Sequence, residues 1–133
     1  MNRAQLEGAL RVLSQSHGYS FSSLPAHRLA EVKRLPAVVL EPPTVDKVEG
    51  RGHGRITYNV TLHILSLAAK LSAEERSLAL QQMESDVLAI FAALSENERV
   101  IVVDGLGITP QEFVLTTHGD ISQTARAKVV THF

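Results

Sequence analysis

Residues 55–65 read Arg-Ile-Thr-Tyr-Asn-Val-Thr-Leu-His-Ile-Leu, with Ile56, Tyr58, Val60, Leu62 and Ile64 at alternate positions and Thr57, Asn59, Thr61 and His63 between them. Successive side chains of a strand point to opposite faces, so this stretch predicts a strand with one apolar and one polar face. Its β-branched and aromatic residues favour the same conformation. Ser72-Ala73-Glu74-Glu75 follows as a capping box: the serine oxygen can accept an early backbone N–H, and a glutamate three residues later can reach back. Beyond it, Leu80, Met83, Val87, Ile90, Phe91 and Leu94 gather on about a third of a helical circumference. A period-two stripe beside a helical stripe requires a helix packed on a sheet, the α+β class.

The flanking segments extend this plan. Leu6, Ala9, Leu10 and Leu13 share one helical stripe over residues 3–16, and His17-Gly18 supplies a stop. Tyr19 and Phe21 alternate with serines as a short strand or extended segment up to Pro25, and residues 27–34 fit either a helical turn or an edge strand. Residues 36–41 read as a strand halted by Pro42-Pro43. Residues 44–54, where Gly50, Gly52 and Gly54 alternate with Arg51 and His53, predict a mobile connection shaped as a hairpin arm. Three strands are expected at residues 99–105, 112–118 and 123–133. The run Val100 to Val103 reads as covered on both faces, and in the last strand Ala125, Ala127, Val129 and Thr131 alternate with Arg126, Lys128, Val130 and His132, so that strand reads as half exposed. The expectation is one domain over 1–133: a mainly antiparallel sheet of four to five strands, two helices on one face, and an extended arm.

Composition narrows the function. The 133 residues are enough to bury a core, and 44% are hydrophobic. With 13 Lys+Arg against 14 Asp+Glu, the chain lacks the basic surplus that gives dedicated nucleic-acid binders their affinity. Cysteine is absent, which removes disulfides, thiolate metal sites and cysteine nucleophiles. The start, Met1-Asn2-Arg3-Ala4-Gln5-Leu6-Glu7, shows no signal-peptide pattern, and no window approaches a membrane span, so the default compartment is the cytoplasm.

Candidate chemistry is thin. His17, His27, His53, His63, His118 and His132 lack the short helical spacing of a zinc site; His63 and His132 could meet across neighbouring strands. The reading preferred for all six is surface or interface imidazoles. Gly50-Arg51-Gly52-His53-Gly54 is followed by a strand, whereas a phosphate cradle needs a helix N-terminus. Arg51, His53 and Arg55 are therefore candidate partner contacts. Serines are not ordered with a His and an acid as in a nucleophile elbow, and Asp104 and Asp120 beside glycines read as turn formers. No catalytic, metal or cofactor residues are assigned, and an enzyme is not expected. The side of the long helix opposite its core stripe carries Leu78, Ser85, Ala89 and Ala92, small enough for another element to approach. These four are the candidate subunit interface.

Residues 35–43 with their double proline, Arg55-Ile56-Thr57-Tyr58-Asn59-Val60-Thr61-Leu62, the helix over 72–94 and the ending Gly119-Asp120-Ile121-Ser122-Gln123-Thr124-Ala125 form an order of elements. That order resembles the tail terminator (tail completion, or minor tail) proteins of tailed bacteriophages and prophages. The resemblance covers nearly the whole chain in layout and rests on no catalytic signature. It implies a structural subunit that forms a ring, usually a hexamer, on the tail tube, stops tube polymerisation and offers a surface to the head or neck. The implied partners are copies of itself, the tube protein and a connector or neck protein, with no cofactor, no membrane and no sequence-specific nucleic acid. The implied location is the host bacterial cytoplasm during assembly, then the virion tail.

Two other readings remain open. A small ferredoxin-like oligomeric enzyme or ligand-binding module would need a pocket with converging polar groups near Asp104 or His118. A nucleic-acid-associated subunit would use Arg126, Lys128 and His132.

Overall fold

The computed structural model describes residues 1–68, 70–111 and 119–133. Its first helix, α1 (Arg3–Ser16), starts with a capping box in which the Asn2 side chain accepts from the Gln5 N–H and Gln5 reaches back to the Asn2 N–H. It buries Leu6 and Leu10. Past Gly18, whose φ of 85° suits a residue without Cβ, strand β1 (Ser20–Ser23) pairs in parallel with β2 (Ala37–Leu40). A 3-10 helix at Ala26–Glu31 lies between them, deciding the region that the sequence left open.

β2 then pairs antiparallel with the long strand β4 (Arg55–Leu67), and so does β3 (Thr44–Glu49), which follows it along the same edge. Pro42 and Pro43 separate the two short strands; neither can donate a ladder hydrogen bond. Helix α2 (Ala73–Ser95) opens with the expected capping box at Ser72 and Glu75. Strands β5 (Val100–Pro110) and β6 (Asp120–His132) complete a sheet of order β1-β2-β4-β6-β5, with β3 beside β4. All pairings except β1–β2 are antiparallel.

Both α-helices cover one face. Val38, Leu40, Tyr58, Val60, Leu62, Ile64, Ala125, Ala127 and Val129 meet Leu6, Leu10, Met83, Val87, Ile90, Phe91 and Leu94 there in one core. At roughly 1.5–3 kcal/mol per fully buried large apolar side chain, this core is the principal stabilising term. On the opposite face, at the β2 end, Leu29 and Val32 of the 3-10 segment pack on Ala37, Val39 and Leu65.

Several expectations change. The described residues form six strands, because Val45 and Val48 turn part of the supposed mobile connection into β3. β5 does not stop at residue 105; a register shift between Asp104 and Gly107 absorbs the glycines and the strand continues to Pro110. Nor is Val100 to Val103 covered on both faces: β5 is an edge strand, and Val102 is 45% exposed on the face without helices. The expected strand at 112–118 lies outside the described residues. The alternation of β6 is as expected, with Ala125, Ala127, Val129 and Thr131 buried and Arg126, Lys128 and His132 exposed.

Candidate functional site

On the face away from the helices, strand register assembles a chain of four polar side chains. Glu41 directly follows β2, its N–H donating to the Thr61 carbonyl at 3.0 Å. His63 sits on β4 and Thr124 faces it directly on β6. Glu41 Oε2 is 2.5 Å from His63 Nε2, and His63 Nδ1 is 2.9 Å from Thr124 Oγ1. Gln111 Nε2 donates to the same hydroxyl at 2.8 Å. One assignment satisfies every group: Nε2–H donates to the carboxylate, and the threonine O–H donates to Nδ1. Acid, imidazole and hydroxyl thus have the connectivity used in nucleophilic catalysis. Here Thr124 is 1% exposed, so its oxygen is closed to solvent. The chain ties β2, β4 and β6 together instead.

This corrects two sequence readings. His63 is buried rather than a surface imidazole, and it does not meet His132, which lies across from Arg55 at the other end of the β4–β6 ladder. His17, His27 and His53 are exposed, and His118 lies outside the described residues. Among the described residues no three His, Cys, Asp or Glu side chains stand close enough to hold a metal ion. The signal that could have located the chain was the polar alternation of β4 and β6; their register, which pairs His63 with Thr124, is absent from local sequence.

The hairpin of β3 and the start of β4 forms the arm. Gly50 and Gly52 take φ of 84° and 73° in its turn, which a side chain would strain. Asn59 Nδ2 donates to Thr44 Oγ1 at 3.3 Å, and Lys128 Nζ reaches across from β6 to Asp46 Oδ2 at 3.2 Å. The arm is therefore paired and anchored without a partner. It exposes Arg51, His53 and Arg55, together with Val45 (41%) and Val48 (53%) on the side that bears the helices. Neither helix reaches over β3, which explains that exposure.

On α2, Leu78 is 59% exposed, and Ser85, Ala89 and Ala92 lie open beside it. Leu88, absent from the sequence-derived interface, is also exposed because the groove between α2 and β5 is left unfilled. That groove, about 260 Å³, is lined by Leu88, Phe91, Ala92, Ser95, Val103 and Leu106. A larger cleft of about 540 Å³ on the sheet's open face is lined by Asn59 and Thr61 of β4, Asp104 of β5, and Arg126 and Lys128 of β6. Elsewhere the Tyr19 hydroxyl donates to Asp86 Oδ2 at 2.5 Å, joining the start of β1 to α2. Burial, and then that carboxylate's hydrogen bond and charge, push the phenol well above its usual range.

Among the described residues no helix is long and apolar enough to cross a membrane. Compared with known families and characterised proteins, the chain matches no family model and no curated sequence.

Proposed function

We propose that this protein is a structural subunit of a phage or prophage tail, which assembles with copies of itself into a ring on the end of the tail tube. The ring would stop tube growth and present the attachment surface for the head or neck. Its partners on this reading are other copies, the tube protein and a connector protein, with assembly in the host bacterial cytoplasm before incorporation in the tail. The observation that carries the reading is the exposure of apolar side chains at two separate places: Val45 and Val48 on the arm, and Leu78 and Leu88 on α2. Separate patches favour head-to-tail association, which closes into a ring when the rotation permits. The exposed small residues Ser85, Ala89 and Ala92 let a neighbour's backbone approach α2.

The test is tube length and head attachment, seen by electron microscopy. Leu78→Glu with Ala89→Glu is expected to leave the fold intact and abolish assembly, giving overlong tubes and unattached heads. Normal particles from the double variant would reject this helix face as an interface. Normal particles after complete deletion of the gene would reject the terminator role.

The cleft beside Asp104 favours a second reading, a ligand-binding module in which Arg126 holds an anion. Titration calorimetry with inorganic phosphate tests it: heat that disappears in Arg126→Ala supports the module, and no heat from the intact protein dismisses it.

A further inference from the structure

We infer that the outer edge of β3 is a seat for β1 of a second copy of this chain, in a two-fold pair whose sheets run on into one another. β3 pairs directly with β4, whereas β2 stands between β4 and β1. Along that side of the sheet β1 therefore projects one strand further out than β3, and the edge is a step. Strands β1, β2 and β3 all run opposite to β4. A copy turned by half a revolution about an axis normal to the sheet thus presents its β1 antiparallel to β3. The same operation sets its β3 against the first copy's β1, and the two steps mesh.

Backbone polarity fits the mesh. The Glu41 N–H bonds the Thr61 carbonyl, so Thr61, and by alternation Asn59, Thr57 and Arg55, turn their backbone groups toward β2 and β3. Their partners Thr44, Lys47 and Glu49 turn inward to meet them, and Val45 and Val48 point their N–H and C=O groups outward. On β1 the Ser20 and Leu24 N–H groups bond the Pro36 and Leu40 carbonyls, which leaves the backbone groups of Phe21 and Ser23 outward. Setting Val48 opposite Phe21 and Val45 opposite Ser23 of the second copy matches free donors to free acceptors on both strands. Asp46 and Lys47 then share one facing residue, Ser22, as they share Thr57 at the bulge against β4.

Side chains agree. Val45 and Val48, 41% and 53% exposed, lie on the helix side with Tyr58 and Ile56, and Phe21 belongs to the same core. The register sets exposed Val48 beside that ring, a favourable cross-strand pair. A cleft of about 460 Å³ follows the β1 edge, with Lys33 and Arg34 on its rim. Neither makes an ion pair among the described residues. Glu49 falls opposite Ser20, whose hydroxyl donates to the Arg34 carbonyl at 3.2 Å, so an acid arrives at a basic rim. The strands also clear one another. Leu24 is level with Thr61 and the second copy's Leu24 with Asn59, two residues or roughly 7 Å apart along the strand. Such a pair closes on itself, so it is a form of the free protein and stands independently of the tail reading.

The cysteine-free chain allows a direct test. Ser23→Cys and Val45→Cys proteins are mildly oxidised separately, mixed, and combined in one chain. Directly facing Cα atoms of a hydrogen-bonded pair stand about 5.5 Å apart, within disulfide reach. The expected result is no disulfide in either single variant, a heterodimer in the mixture, and dimers without larger species in the double variant. Val12→Cys, exposed on α1, replaces Ser23→Cys as a control and is expected to give no product with Val45→Cys. Sedimentation is expected to show the cysteine-free protein as a dimer. Val48→Lys should keep its circular dichroism spectrum and dissociate on the order of tenfold more readily, because two ammonium groups would be enclosed at the two equivalent seats. Multimers in the double variant, product in the control, no product in the mixture, or a cysteine-free protein that is monomeric at every concentration would each overturn the seat. So would a Val48→Lys protein that dimerises as before.

Discussion

Glu41 Oε2 lies 2.5 Å from His63 Nε2, joining the last residue before the double proline to the middle of the longest pairing in the sheet. The other imidazole nitrogen holds Thr124, so removing the ring strands two groups at once. His63→Leu is expected to lower stability by about 2 kcal/mol, the cost of leaving buried partners unsatisfied. Glu41→Gln, which keeps an acceptor for Nε2–H, is expected to cost less than about 1 kcal/mol. Urea midpoints at constant m measure both. Equal losses would show that the chain of hydrogen bonds does not form in solution.

The Tyr19–Asp86 contact predicts an alkaline weakness. The folded phenol's pKa is raised above its usual 10.0, so its contribution is complete below pH 10.0 and declines as pH rises beyond it, where the unfolded state loses its proton first. Tyr19→Phe is expected to flatten the fall in unfolding midpoint above that pH. It should also cost about 1 kcal/mol at neutral pH through the lost hydrogen bond. An unchanged alkaline slope in the variant would exclude Tyr19 as its source.

Met83→Asp or Ile90→Asp is expected to prevent folding, because each places a carboxylate without a partner in the helix-side core. Gln81→Asp is the suitable exposed control, with an expected change within about 0.5 kcal/mol. Gln82 looks equivalent on a helical wheel, yet its Nε2 donates to Asp86 at 3.0 Å, so an aspartate there would repel. Circular dichroism of the purified proteins separates these cases.

Gly54 closes the arm against the end of the chain. A Cβ there would stand 2.7 Å from the Glu49 carbonyl oxygen and 3.2 Å from the Phe133 ring. The Gly54 carbonyl also accepts the Phe133 N–H at 2.8 Å. Gly54→Ala is therefore expected to open the hairpin while sparing the helix-side core. Hydrogen exchange should speed up at least tenfold for amides of β3 and stay unchanged in β6 beyond its last residues. Unchanged exchange in β3 would mean that the turn can shift without loss.

Sequence alone determined the elements whose own periodicity decides their burial. Alternation over β4, the stripes of α1 and α2, the capping box of α2 and the two-faced pattern of β6 were all legible, because period two and period 3.6 each bury one face in only one conformation. The outer face of α2 was legible for the same reason. Tertiary structure decided what depends on pairing between distant segments. It made β3 a strand by placing β4 beside it, set Val102 at an edge, and brought Glu41, His63, Thr124 and Gln111 into one hydrogen-bonded chain. It also set β3 one strand back from β1 along the same edge. Register and edge position arise from the sum of contacts along whole strands, so no local window of residues contains them.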